Sequence, residues 1–442
     1  MGASFGTYLR RRKESAAPRI GLARDTRPSG PRLEAAFLKG LALTGSDVLK
    51  FGVVPTPTAQ INVTLLGLDG AVVVSASHNP VEWNGFKFIG ERGIFLTEAE
   101  AQQFIRIFHS KRWAEHPNGV IQEDANVLTR HIDKILTQLK ITDPLPKLRV
   151  AVDAVNGAGS LTSPQLLKQL GMEVVPLHCE NNGKFLRGAE PLPENLAELG
   201  RIVTEKKCDV GFAQDPDADR LAMVDEKGVP LGEDLTVALG VDALLQSAPP
   251  SPKKIVVNLS TSMAIDEVAR RYNAKVIRTS IGEVYVSEGI VQHKAFAGGE
   301  GNGGLINPAI GFGRDSLGAM ATILRHLTKK KIRISDWARP YRGYTIIKDK
   351  IAFTDAKELK ALLARVKAVG AGAQIDERDG VKLTWSDRWL HVRASNTEPI
   401  VRIMAEGKSA EIARGLVEKI VSRKANVLSR KSKTESKITF DS

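Results

Sequence analysis

Leu148-Arg-Val-Ala-Val-Asp-Ala-Val-Asn-Gly-Ala-Gly-Ser-Leu-Thr-Ser-Pro-Gln-Leu-Leu-Lys-Gln-Leu-Gly171 decides how this 442-residue chain folds. Leu148–Val152, after the break at Pro144 and Pro146, reads as a strand. The glycine-containing turn Asn156–Gly159 follows it. Ser163 then reads as a helix cap, Pro164 as the first helical residue and Gly171 as the residue just past the end. Strand, glycine turn and helix in that order are the opening of a βαβ unit.

The alternation extends both ways. Upstream, Ile20–Ala23 reads as a strand, and Ser29 with Pro31 opens a helix carried by Leu33, Ala36, Phe37, Gly40 and Leu41, which Gly45 ends. Val48–Val54 and Ala71–Ser75 read as strands, and Thr97 with Glu100 has the spacing of a capping box. Downstream come strand Val210–Ala213 and a restart after Pro249–Pro252. That restart brings strand Ile255–Asn258, a helix near Met263–Tyr272, and strands Lys275–Ile277 and Phe296–Ala297. From Gly343 the texture changes: strands Tyr344–Lys350, Lys382–Ser386, Trp389–Val392 and Ile400–Ala405 accompany amphipathic helices near Ala356–Val369 and Ala410–Ser422. The prediction is an α/β protein of four domains: three α/β units with mixed, mostly parallel sheets, then a smaller α+β domain. Their boundaries are 1–146, 147–248, 249–342 and 343–426, with a basic flexible tail over 427–442.

Composition narrows the function. Hydrophobic residues make up 42% of the chain, too many for general disorder. No run approaches the ~18 uninterrupted apolar residues of a membrane span, and the apolar stretch Leu235–Leu245 is broken by Asp242. The start MGASFGTYLRRRKE has no apolar core ahead of a cleavage site, and only Cys179 and Cys208 are present, so we expect a cytoplasmic protein without disulfides. The 63 basic and 50 acidic residues leave a formal +13. Part of that excess is local, at Arg10–Lys13, Lys329–Lys331 and the tail, and no basic-aromatic RNA-binding motif accompanies it. A basic enzyme of anionic metabolites is the simpler expectation, with no nucleic-acid or membrane partner.

Four polar loops carry the chemistry, where ligands gather in parallel sheets. In Ser75-Ala-Ser-His-Asn-Pro80, continued by Asn84-Gly85-Phe86-Lys87, a serine beside histidine and lysine suits a phosphorylated hydroxyl, or else makes a hydroxyl turn with His78 at the surface. Asp215-Pro-Asp-Ala-Asp-Arg220 sets three carboxylates at alternate positions, which suits a hard divalent cation or a solvated acidic turn. An EF-hand would use Glu226 at its twelfth position, but Arg220 stands where that loop needs glycine. Gly298-Gly-Glu-Gly-Asn-Gly-Gly304 frames one carboxylate and one amide that can read hydroxyls, or is a bare glycine-rich turn. Arg393-Ala-Ser-Asn-Thr-Glu-Pro399, with Arg402 beyond, is a phosphate cradle or a capped turn whose arginines pair with Glu398 and Glu406.

Taken together and in this order, the four loops resemble the α-D-phosphohexomutase superfamily over nearly the whole chain. The family pattern T-A-S-H-N-P…N-G-x-K matches Ser75–Lys87 with serine for the opening threonine. D-x-D-x-D-R matches Asp215–Arg220, G-E-x-[SN]-G matches Gly299–Gly303, and R-x-S-N-T-E-P matches Arg393–Pro399. Smaller family-like pieces are Arg24-Asp-Thr-Arg-Pro-Ser-Gly30, Val53-Val-Pro-Thr-Pro57, Asp153 with Asn156-Gly-Ala-Gly159, and Gly313-Arg-Asp315.

The resemblance implies four domains around a central cleft. Ser77 would be the phosphorylated nucleophile, with Mg²⁺ held by Ser77, Asp215, Asp217 and Asp219. His78 and Lys87 would handle protons, and Arg220 would contact phosphate or the serine side. Glu300 and Asn302 would hold sugar hydroxyls, while Arg393, Ser395, Asn396, Thr397 and Arg402 hold the phosphate that does not react. The implied reaction moves a phosphoryl group between O6 and O1 of a hexose phosphate through a hexose 1,6-bisphosphate that also primes the enzyme. Glucosamine 6-phosphate is the expected substrate. The alternatives are phosphomannomutase/phosphoglucomutase activity and a non-catalytic sugar-phosphate binder; a monomer or homodimer is expected.

Two departures stand out. Many members carry histidine just after the sugar loop, where this chain has Gly304. The family's opening strand, with its G-[TI]-x-G-I-R-G-like loop, has no counterpart here, and Ala3–Arg10 looks like the helix that normally follows it. That leads us to expect a first unit without its opening strand, an exposed sheet edge and weak turnover by the chain as written.

Overall fold

Short apolar runs buried on both faces, such as Gly70–Val74, Arg149–Asp153 and Val210–Gln214, form the inner strands of the sheets that set the architecture. The computed structural model describes residues 1–13, 17–116, 119–249, 251–353, 355–395 and 400–421. The expected ligands Asn396 and Thr397 and the tail over 427–442 lie outside the described residues.

The first unit runs α1 (Gly2–Lys13), β1 (Arg19–Arg24), α2 (Gly30–Leu43), β2 (Asp47–Val53), α3 (Thr56–Leu66), β3 (Gly70–Val74), β4 (Phe86–Gly90), α4 (Glu98–Ser110) and β5 (Ile121–Glu123); α5 (Val127–Gln138) follows it and packs Ile132 and Ile135 into the core of the next units. Its sheet has the order β4-β3-β1-β2-β5, parallel except for β4. Phe5 and Tyr8 of α1 pack with Phe37, Phe88 and Phe104 into one aromatic cluster over that sheet. The second unit comprises β6 (Arg149–Asp153), α6 (Gly159–Gln169), β7 (Glu173–Leu177), α7 (Ala197–Glu205), β8 (Val210–Gln214) and β9 (Leu221–Val224). The third comprises α8 (Glu233–Gln246), β10 (Lys254–Asn258), α9 (Ala264–Arg271), β11 (Lys275–Thr279), α10 (Glu283–His293), β12 (Ala297–Glu300), β13 (Gly304–Ile306), α11 (Ser316–Lys330) and α12 (Ile334–Ala338).

The three units repeat one topology. Apart from β5, which adds to the edge of the first sheet beside β2, their sheets read β2-β1-β3-β4, β7-β6-β8-β9 and β11-β10-β12-β13: second, first, third and fourth strand each time. The fourth strand is always antiparallel to the third. The serine, aspartate and glycine-rich loops are therefore the connections of three equivalent hairpins, β3–β4, β8–β9 and β12–β13.

The C-terminal unit is different. It contains β14 (Thr345–Ala352), α13 (Ala356–Ala368), β15 (Gln374–Asp376), β16 (Val381–Thr384), β17 (Trp389–Ala394), β18 (Ile400–Gly407) and a last helix, α14, over 410–421. Its sheet, in the order β14-β18-β17-β16-β15, is antiparallel throughout.

Local readings differ from the structure in three places. The helix expected to start at Pro164 starts at Gly159, leaving Pro164 inside it. Ala158 N–H bonds Pro216 C=O at 2.7 Å, which draws the helix entry onto the aspartate loop. Ser29 precedes α2 without a side-chain cap; its hydroxyl accepts from Asn84 instead, at 2.9 Å. The strand read at Phe296–Ala297 lies further on, at Ala297–Glu300, and runs so close to its neighbour that a Cβ at Gly298 would sit 2.4 Å from Val256 C=O.

The second and third units share one core. A single apolar cluster joins Val152 and Phe212 to Val237, Val257, Met320 and Trp337. Helix α8 runs through it and is buried nearly all round, the state expected of a helix without a polar face. Its one interior charge, Asp242, accepts Trp337 Nε1–H at 2.6 Å. Among the described residues no helix is long and apolar enough to cross a membrane, and both cysteines are free.

Candidate active site

The serine loop leaves β3 and returns through β4. Ser77 has φ of 50°, the left-handed region that a non-glycine residue occupies only where its surroundings over-determine it. Here they do. Ser77 N–H bonds Ser75 Oγ (2.9 Å), and Ser75 Oγ–H bonds Asp25 Oδ2 (2.7 Å). Arg27, fully buried, donates to the carbonyls of Ser77 (2.5 Å), Asn79 (2.8 Å), Pro80 (2.5 Å) and Trp83 (2.9 Å) and to Asp25 Oδ2 (2.9 Å). This clamp aims Ser77 Oγ at Asp215 Oδ2, 3.1 Å away on the next loop.

Asp215, Asp217 and Asp219 are all fully buried, and one oxygen from each lies within 4.8 Å of the others. Lys87 Nζ reaches Asp217 Oδ2 at 2.5 Å and Asp219 Oδ2 at 3.1 Å, and Thr56 Oγ1–H also bonds Asp217. Burial alone would disfavour the Lys87 ammonium, but Asp217 and Asp219 outweigh it and raise its pKa. Asp215 is pushed well up by burial and then by its two neighbours. Burial works the same way on Asp219, yet Arg314, Lys87 and Arg220 hold its carboxyl below the usual range. Asp217 Oδ1 and Asp219 Oδ1 are buried with no hydrogen-bond partner. Such an all-oxygen set with two unmatched carboxylate oxygens fits a hard divalent cation. Glu226, the residue an EF-hand would need, accepts instead from Ser335.

The glycine-rich loop closes against the aspartate loop, with Leu221 N–H on Gly303 C=O at 3.1 Å. Glu300 is buried. Its Oε1 accepts from Asn258 Nδ2 (2.8 Å) and Gly282 N–H (3.1 Å), and its Oε2 from Arg314 (2.8 Å). Arg314 also donates to Asp219 (2.6 Å) and Glu283 (2.9 Å). Burial raises the pKa of Glu283 to about 7, against the pull of Arg314.

His78 and Arg220 come together as well: Arg220 donates to His78 Nδ1 (2.9 Å) and to Glu190 (2.7 Å). The Arg220 charge, then burial, lowers the pKa of His78 to about 4, so the ring is neutral and carries its proton on Nε2. On the C-terminal sheet, Arg393 and Arg402 face each other across β17 and β18. Like charges directly opposite are unfavourable unless an anion joins them. Arg393 Nε bonds Asp379 Oδ1 (2.9 Å), Asp379 Oδ2 accepts Ile281 N–H (3.1 Å), and Gly282 beside it bonds Glu300. Ser395 N–H closes on Ile400 C=O at 2.8 Å.

The structure thus joins Ser77, Lys87, the three aspartates, Arg220 and His78 directly, and links Glu300 to them through Arg314. Sequence reasoning gave no role to Arg27, Asp25, Thr56, Glu190, Glu283, Arg314 or Lys348, which pairs with Glu233 from β14. Asp25 and Arg27, Thr56 and Arg314 stood inside the quoted pieces Arg24–Gly30, Val53–Pro57 and Gly313–Asp315, the one signal available.

Fold and loops define a four-domain phosphohexomutase. Residues 1–115 match alpha/beta/alpha domain I of phosphoglucomutase/phosphomannomutase, 129–228 match its domain II, 232–344 its domain III and 350–423 its C-terminal domain, and the chain belongs to this family. A phosphoglucomutase/phosphomannomutase of Thermococcus kodakarensis is 37% identical, covering 95% of this chain and 92% of that one. A phosphoglucosamine/phosphogalactosamine mutase of Sulfurisphaera tokodaii is 31% identical over 95% of this chain and 93% of its own. The crystal structure of a family protein from Burkholderia thailandensis superposes with a TM-score of 0.81 at 24% identity, over 95% and 90% of the two chains, and shares the fold. The protein is an intramolecular phosphotransferase, a hexose phosphate mutase of a magnesium-dependent family.

Proposed function

We propose that Ser77 carries the exchangeable phosphoryl group and that the substrate is glucosamine 6-phosphate, converted to the 1-phosphate through a hexose 1,6-bisphosphate. The clamped Ser77 hydroxyl 3.1 Å from Asp215, with Lys87 on the other two aspartates, carries the assignment of Ser77, and the relatives named phosphoglucosamine mutase support the choice of sugar. Asp215, Asp217, Asp219 and Ser77 would hold Mg²⁺, which when bound neutralises charge on the transferring oxygens.

The chain's own residues do the rest. Lys87, kept as ammonium by its carboxylates, holds a proton and a positive charge on the aspartate cluster that Ser77 faces. His78, neutral and engaged at Nδ1, offers Nε2–H to a phosphoryl oxygen, and Arg220 fixes its ring. Glu300 and Asn302 accept and donate to sugar hydroxyls in either orientation of the sugar. Arg393 and Arg402, with Ser395, Asn396 and Thr397, hold the phosphate that does not react.

The deciding assay offers glucosamine, glucose and mannose 6-phosphates with a trace of 1,6-bisphosphate and Mg²⁺. Glucosamine 6-phosphate should turn over fastest. A lead by glucose or mannose 6-phosphate would support the phosphoglucomutase/phosphomannomutase reading, in line with the Thermococcus relative. Ser77→Ala should lose both the phosphorylated form, read by intact mass, and turnover; retained activity would sink the assignment of Ser77.

A further inference from the structure

Arg314 belongs to none of the four loops, yet its guanidinium touches two of them. It lies just ahead of α11, buried, and spans three carboxylates: Asp219 at 2.6 Å, Glu300 at 2.8 Å and Glu283 at 2.9 Å. Asn302, with its amide turned to satisfy both ends, presents its oxygen to the same guanidinium at 2.9 Å. The space is made by Gly304, where any Cβ would stand 2.1 Å from Arg314 Cδ and 2.7 Å from Cγ. Every other bond of Glu300 is made to backbone or amide within the third unit, from Asn258 and Gly282. Arg314 is therefore its direct side-chain link to the aspartate loop among the described contacts.

We propose that Arg314 is a positioning residue, a rigid strut that sets the separation between the metal-holding loop and the sugar-reading loop, and that Gly304 is glycine to admit it. The proposal rests on the reading of the aspartates as the metal site and of Glu300 as the sugar ligand. A mutase must present O1 and O6 of the same sugar in turn to one phosphoryl group. A planar, always-charged fork anchored at both ends gives Glu300 the same distance from Asp219 in either orientation. Lysine has a single ammonium on a flexible stem and cannot span three carboxylates in this way. Losing the strut should therefore lower turnover and loosen the metal site while leaving ground-state sugar affinity nearly intact.

The test compares wild type, Arg314→Lys, Gly304→Ala and the double variant in the full chain. The readouts are kcat and KM, Mn²⁺ affinity by electron paramagnetic resonance, and thermal midpoint. We expect Arg314→Lys to lower kcat and Mn²⁺ affinity about tenfold or more, the effect of one or two lost charged hydrogen bonds, with little change in KM. Gly304→Ala should show the same pattern, and should add little in the Arg314→Lys background because both act on one contact. Wild-type kcat and Mn²⁺ affinity in Arg314→Lys, or a fall in thermal midpoint alone, would overturn the strut. So would independent, additive effects of the two substitutions. If Arg314→Lys does not fold, Gly304→Ala, which keeps every charge, carries the same test. A wild type that binds no Mn²⁺ would overturn the metal reading along with the strut, whereas tight and equal binding by wild type and variants would overturn the strut alone.

Discussion

Arg27 shows how much one side chain can hold. All five of its N–H donors are used: four on backbone carbonyls of the serine loop and one on Asp25. Burial raises the pKa of Asp25, and the Arg27 charge is what opposes it. Removing that charge leaves a buried carboxylate and four unmatched carbonyls. Breaking a buried pair of this kind costs about 3–5 kcal/mol, so Arg27→Met should show that loss in urea unfolding and should also release Ser77 from its left-handed backbone. A loss under about 1 kcal/mol would mean that the loop is held by other contacts. The motif around Arg27 was visible in the sequence but its role was not, because its four carbonyl acceptors lie 50 to 56 residues further along the chain. Ser77, the aspartates and Lys87 were easier to find: each belongs to a local pattern whose chemistry is written in its own few residues.

The hairpin is the element that organises the site. Each α/β unit ends its parallel sheet with one reversed strand, and each reversal carries a chemistry loop. The sequence reading does not pick out β4, β9 and β13, because these runs are three to five residues long and lie just after polar loops, too short to carry a strand pattern of their own. Of the three helix starts read from caps, only the one at Thr97 is formed as read, with Glu100 bonding back to Thr97 N–H at 2.9 Å. On β17, His391 is buried between Ser260 Oγ (2.8 Å) and Asp379 C=O (2.6 Å), and burial lowers its pKa from 6.5 to about 4. As pH falls below 6.5 the unfolded chain therefore binds a proton that the folded chain refuses. Stability should drop between about pH 6.5 and 4, by at most ~1.4 kcal/mol per pH unit from this residue. His391→Gln should flatten that part of the stability–pH curve in denaturant titrations at pH 7 and pH 5. An identical slope would show that His391 is protonated in the fold.

At the scale of the molecule, the site exists only where the units meet: Ser77 on Asp215, Arg314 between Asp219 and Glu300, and Lys348 on Glu233. A ligand that spans them should hold them together. Saturating hexose 6-phosphate with Mg²⁺ should raise the thermal midpoint, by about 2.7 kcal/mol of stability at a hundred times Kd. Arg393→Ala should lose most of that shift; an unchanged shift would place the phosphate elsewhere. The α/β class, the change of texture near Gly343 and the four loops are legible in the order of amino acids, because strand periodicity, turn glycines and short polar motifs are local properties of the chain. That three units repeat one strand order, and that the second and third share a core, emerges from the folded chain alone. The same holds for Arg27 and Arg314, each of which binds groups on separate stretches of chain. Those facts depend on pairings across tens to hundreds of residues, and a buried charge takes its meaning from whichever partners the fold delivers to it.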